Sequence, residues 1–200
     1  MTAANDPFDW SGGHPALDFV NTLDERPFPA PIENLAGYAD LVRFTELAGL
    51  LTPAQARQLR KHAAANHAHI ARRARELREQ LYVVLTAWHR RKAIPPHSLR
   101  AITAAIRAAQ AARGLAISNG PSIARHDWLS PHEAEIPLHA CAFAIEDLLI
   151  GADRRRVRKC GAGDCEVYFI DRSKGHRRHW CSMQNCGNRE KQRRWRAEME

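Results

Sequence analysis

Four cysteines, Cys160, Cys165, Cys181 and Cys186, constrain this chain more than any other feature of its sequence. They stand in the spacing C-x4-C-x15-C-x4-C, two close pairs joined by a hairpin-length gap. Each pair fits one tight turn, and the gap lets the chain bring both turns around a single ion. Gly161 and Gly163 allow the first turn to fold back so that its two sulfurs face one point. Four thiolates with no redox signature favour Zn2+, one per chain, with an iron–sulfur cluster as the alternative. Four unrelated core thiols would not require paired spacing on both sides of a basic stretch. Cys141 is the opposite case, because it sits on an apolar helical face beside Ala142 and Ile145 and reads as a buried, inert thiol.

Between the pairs, residues 166–171 have strand composition, 172–175 a turn, and 176–180 can return as a second strand. Residues 188–199 contain no breaker and many helix formers. Knuckle, hairpin and helix in that order predict a treble-clef-like finger. So small a core cannot fold on apolar burial alone, so metal binding supplies its folding energy.

The charge is concentrated in the same place. The chain of 200 residues carries a net +8, of which residues 151–200 hold +7. A basic module next to a nearly neutral one points to a polyanionic partner. The candidates for phosphate contact are Arg172, Lys174, Arg177 and Arg178 in the hairpin, and Arg189, Lys191, Arg193, Arg194 and Arg196 in the helix. Arg189, Arg193 and Arg196 share one helical face, which suits a phosphate track and, for arginine, guanine edges. A merely solvated face is the competing reading; the basic run 154–159 just before Cys160 extends the positive region and weighs against it.

Residues 1–150 read as mostly helical. Helices are expected over 38–47, from Pro53 with a break near Asn66, through the apolar face Ile70, Leu77, Leu81, Val84, Leu85 and Trp88, over 98–113, and over 137–150. Asn119-Gly120 predicts a hairpin between 115–118 and 123–128. The fold class is mainly α with a small β-hairpin (α+β), divided into a helical domain over 1–152 and a finger over 153–200. His14, Asp18 and Asn21 are candidates for a small-molecule pocket, although caps and turn contacts explain the same residue types. His62, His67 and His69 do not recur on one face and read as surface histidines. No nucleophile–base pair, paired carboxylates or phosphate-cradling glycine loop stands out, so no catalytic residue is expected and the chain is not expected to be an enzyme. No apolar run approaches a membrane span and the N-terminus lacks signal-peptide character, so a cytoplasmic, nucleoid-associated location is expected.

Two stretches carry a family resemblance. Trp180-Cys181-Ser182-Met183-Gln184-Asn185-Cys186-Gly187-Asn188-Arg189, preceded by Phe169-Ile170-Asp171-Arg172-Ser173, resembles the CGNR zinc finger. Gly12-Gly13-His14-Pro15-Ala16-Leu17-Asp18-Phe19-Val20-Asn21-Thr22 resembles the opening of the ABATE domain, which typically precedes that finger. The resemblance spans nearly the whole chain and implies a stress-related bacterial transcription regulator whose finger binds DNA. The helical domain would then sense a small-molecule effector or form a homodimer. His179 departs from the pattern, which calls for a second arginine before Trp180. An RNA-binding module, or an enzyme in residues 1–150 targeted by the finger, are the alternatives from other classes.

Overall fold

Apolar periodicity is realised as helix nearly throughout, in a computed structural model that describes residues 6–61, 67–117 and 123–199. The protein is mainly α-helical, with three antiparallel strand pairs among the described residues. Contacts divide the chain into two compact units: the described residues up to Asn34 together with those from Leu148 onward, and Leu35–Asp147.

In the Leu35–Asp147 unit, α1 spans Tyr38–Leu47 and α2 spans Pro53–Lys61. Thr52 and Gln55 cap α2 reciprocally: Gln55 N–H donates to the Thr52 hydroxyl (3.3 Å) and Thr52 N–H to Gln55 Oε1 (2.9 Å). Helix α3, Ala68–His89, buries Ile70, Leu77, Leu81, Val84 and Leu85, the face expected from the periodicity. Trp88, at its end, stays exposed. Helix α4, Pro96–Ala111, buries Ile102 and Ala109 but leaves Leu99 exposed. The strands β1 (Arg113–Ile117) and β2 (Ala124–Trp128) pair antiparallel, Leu115 opposite His126. Helix α5 runs from Ile136 to Ile150 and packs Leu138, Cys141 and Ile145 inward. Asn66, His62 and the Asn119-Gly120 turn lie outside the described residues.

The other unit is built around a short strand. Helix α6, Pro15–Val20, has proline in its first turn, and Ala16, Leu17, Phe19 and Val20 are all buried. Two-residue strands Leu23–Asp24 and Ile32–Glu33 pair beyond it. In the finger, β3 (Val157–Lys159) pairs antiparallel with β4 (Tyr168–Ile170), Arg158 opposite Phe169. Helix α7, Asn188–Ala197, follows one turn of π-helix at Met183–Gly187.

The finger differs from expectation in one respect. Residues 176–180 form no strand, and β4 takes its partner from before the first cysteine. Asp171 is the physical reason. Its buried carboxylate accepts hydrogen bonds from Ser173 N–H (2.9 Å), the Ser173 hydroxyl (2.6 Å) and Arg178 N–H (3.0 Å). Those bonds fold the loop onto the end of β4 and direct the chain back to the knuckle, where the His179 carbonyl accepts from Gly161 N–H at 2.9 Å.

Candidate functional site

The four cysteines reach one point from two loops. Cys160 directly follows β3, Cys165 closes the knuckle through its N–H to the Ala162 carbonyl (3.2 Å), and Cys181 and Cys186 flank the entry into α7. Their Sγ atoms all lie within 4.8 Å of one another, with Cys165–Cys181 at 3.8 Å and Cys181–Cys186 at 3.5 Å. Bonds of about 2.3 Å in a tetrahedral zinc site set the sulfur–sulfur edges near 3.8 Å, so the donor set fits one zinc ion.

The four thiols shift one another's acidity. Hydrogen bonds from the Cys165 and Cys181 thiols hold the Cys160 thiol well below its usual range. The same bond to Cys160 pushes Cys165 up to about 12, bonds to Cys160 and Cys165 push Cys181 far up, and burial raises Cys186. Four thiolates at this spacing repel, and a divalent ion removes the conflict. Outer groups assist: Cys181 N–H donates to Cys160 Sγ and the Arg189 guanidinium to Cys186 Sγ, each at 3.4 Å. At Gly161 a Cβ would fall 2.3 Å from the His179 ring. His179 thus packs over the knuckle at Gly161. Cys141 lies apart from this cluster, fully buried, with its thiol pushed up by burial.

The N-terminal candidates direct their side chains to backbone groups. Asn21 Nδ2 donates to the Tyr168 carbonyl (3.0 Å) and Asn21 Oδ1 accepts from Tyr168 N–H (3.1 Å), so the amide acts as a strand neighbour to β4. Asp18 Oδ1 accepts from Gly12 N–H (2.9 Å), and the Gly12 carbonyl accepts from Ile170 N–H (2.8 Å). His14 caps α6 by accepting from Ala16 N–H at 3.2 Å. A cavity of about 480 Å3 is lined by Asn21 together with Phe8, Phe28, Cys165, Cys186 and Arg189, among others; His14 and Asp18 do not line it.

Burial pushes the Asp18 carboxyl from 3.8 up to about 7, against the Gly12 N–H bond and with help from the Asp9 charge. The folded chain therefore binds this proton more tightly than the unfolded one. The associated stability is complete below the ordinary value and is lost as pH rises through about 7. Calorimetric melting between about pH 5 and 8 should show a falling Tm in the wild type and a flatter profile in Asp18→Asn. Parallel profiles would remove Asp18 as the cause.

The nine basic candidates separate into two groups. Arg172 pairs with Asp153 at 2.9 Å. Arg178 lies over the Phe169 ring, 4.4 Å from its centroid, and donates to the Trp180 carbonyl. Arg189 and Arg193 both clamp Asp164, at 2.8 and 3.0 Å, and Arg193 also pairs with Glu190. Lys174, Arg177, Lys191, Arg194 and Arg196 make no side-chain hydrogen bond or ion pair among the described residues. The Arg189–Arg193 part of the expected phosphate track thus faces the knuckle. Sequence reasoning missed Asp164, whose only signal was a single acid inside the C-x4-C loop of a basic segment. Trp195, which sequence reasoning could equally place in the small core, is instead 61% exposed, one helical turn beyond Lys191.

Comparison with known families agrees with this geometry. A model named ABATE, described as "Putative stress-induced transcription regulator", matches residues 13–152. A second model, the CGNR zinc finger, matches residues 156–198. No curated protein matches the chain.

Proposed function

Because this chain belongs to the ABATE family and ends in a CGNR zinc finger, we propose that it is a zinc-dependent, DNA-binding transcription regulator. In this reading residues 153–200 supply the nucleic-acid surface, and residues 1–152 sense an effector or hold two copies together. The observation that carries it is a set of five cations on the finger, Lys174, Arg177, Lys191, Arg194 and Arg196, that have no side-chain partner among the described residues. Such long donors suit phosphate oxygens, whereas Arg189 and Arg193 would first have to leave Asp164. Zinc, when bound, supplies the rigidity that orients α7; the contacts come from the side chains.

Five phosphates neutralised would give a fall of log affinity with log salt of slope roughly −4.5. Fluorescence anisotropy with duplex DNA at several salt concentrations reads this directly. Arg194→Ala and Lys191→Ala should each make the slope shallower by about one unit. Arg193→Ala should change it less. Equal slopes in all three variants and the wild type would mean that α7 does not lie on the nucleic acid.

Exposed Trp195, adjacent to Arg194 and one helical turn beyond Lys191, supports a second reading, an RNA or other single-stranded ligand, because an indole stacks on unpaired bases. Trp195→Ala should then weaken a single-stranded probe and spare a duplex. Among the described residues, no helix is long and apolar enough to cross a membrane.

A further inference from the structure

We propose that the β1–β2 hairpin of the Leu35–Asp147 unit is a dimerisation surface, and that its occupant is the β2 strand of a second copy of this chain. The inference goes beyond the nucleic-acid reading and does not depend on it.

Two strands alone are marginal in water, and this pair has no further strand on either edge among the described residues. One face of the hairpin carries Arg113, Leu115 and Ile117 from β1 and Ala124, His126 and Trp128 from β2, by the alternation of side chains across the observed register. The base of that face is covered: Trp128 packs on Phe143 of α5, ring centroids 6.1 Å apart, and Arg113 lies over the same ring. Its outer part is bare. Leu115 is 63% exposed and Ile117 73%. Large apolar groups on an open strand edge invite another chain.

The backbone specifies which edge and which partner. Leu129 N–H donates to the Ala112 carbonyl, which makes 112 and 129 a hydrogen-bonded pair. By the alternation of an antiparallel ladder, Arg125 and Asp127 turn their backbone groups towards β1, and Ala124, His126 and Trp128 turn theirs outward. An antiparallel β2–β2 pairing about a two-fold axis at His126 matches those outward groups with themselves. In that register Arg125 of each copy stands opposite Asp127 of the other, in the closely spaced, non-hydrogen-bonded class of pair. Within one copy the two side chains already form an exposed pair at 2.9 Å, and the dimer exchanges them. The same register places Ala124 beside Trp128 of the second copy, on one face. The exposed outer part of each hairpin, with Leu115, Ile117 and Ala124, is thereby carried to the covered base of its partner. The β1 edge has no such self-complementary charges.

The test uses the full zinc-loaded chain in sedimentation velocity and light scattering over a concentration series. The wild type should be a dimer. Arg125→Asp alone and Asp127→Arg alone place like charges opposite each other and should each weaken association at least tenfold. The double variant carrying both changes restores opposite charges and should recover the dimer. His126→Pro, which deletes the central outward N–H, should dissociate it without removing charge. A monomeric wild type would overturn the proposal. So would a dimer insensitive to the single changes, or a double variant no tighter than either single one. DNA binding is not read in this experiment, so its outcome and that of the nucleic-acid reading are separable.

Discussion

Cys181→Ser is expected to abolish stoichiometric zinc and unfold the finger while the Leu35–Asp147 unit still melts cooperatively. Cys181 contacts the sulfurs of Cys165 at 3.8 Å and Cys186 at 3.5 Å. Its loss removes much of the roughly 10–16 kcal/mol of apparent zinc binding that substitutes for a large apolar core. The finger's own apolar cluster is small, and three of its five buried members are cysteines. The consequence should extend beyond the finger. The Gly12 loop and Asn21 hydrogen bond to β4, so α6 and its flanks should lose amide-exchange protection together with residues 157–187. By contrast, the unit over Leu35–Asp147 keeps its own buried helices α1 and α3 and no zinc ligand. Cys141→Ser should leave zinc content at one per chain. Full zinc retention in Cys181→Ser would overturn the ligand assignment.

The second large effect is expected at Asn21. Asn21→Leu keeps the volume but strands both the N–H and the carbonyl of Tyr168 in a buried setting. Leaving a buried polar group unpaired costs about 1–3 kcal/mol, so the pair should cost about 3 kcal/mol. For a unit of this size that is a fall in Tm of more than about 10 °C. Zinc should still bind one per chain, which separates this lesion from loss of a thiolate. Asn21→Asp, which can accept from Tyr168 N–H but cannot donate to its carbonyl, should fall between the two. If Asn21→Leu instead left melting unchanged and only abolished binding of an effector, Asn21 would be a ligand contact rather than a strand neighbour.

These two predictions also mark where sequence reasoning reached and where it stopped. The thiolate site was legible because spacing alone limits where four sulfurs can meet, and α3 was legible because an apolar stripe at helical period has only one side to bury. The role of Asn21 was not, because its partner lies 147 residues away and an amide's hydrogen bonds leave no periodic trace. The same holds for Asp18, whose chemistry depends on burial around the Gly12 loop.

The basic helix shows the division most clearly. From the sequence by itself came a helix after Cys186, its cations and the faces they share, because those follow from 3.6 residues per turn and from residue type. Which face turns to solvent came only from the tertiary structure. Helix α7 buries no residue, so it has no apolar stripe to set its rotation. One carboxylate from the knuckle, Asp164, draws in Arg189 and Arg193, while Lys191, Arg194 and Trp195 stay outward. A contact between polar groups 25 and 29 residues apart depends on the fold that brings them together, and no local pattern encodes it.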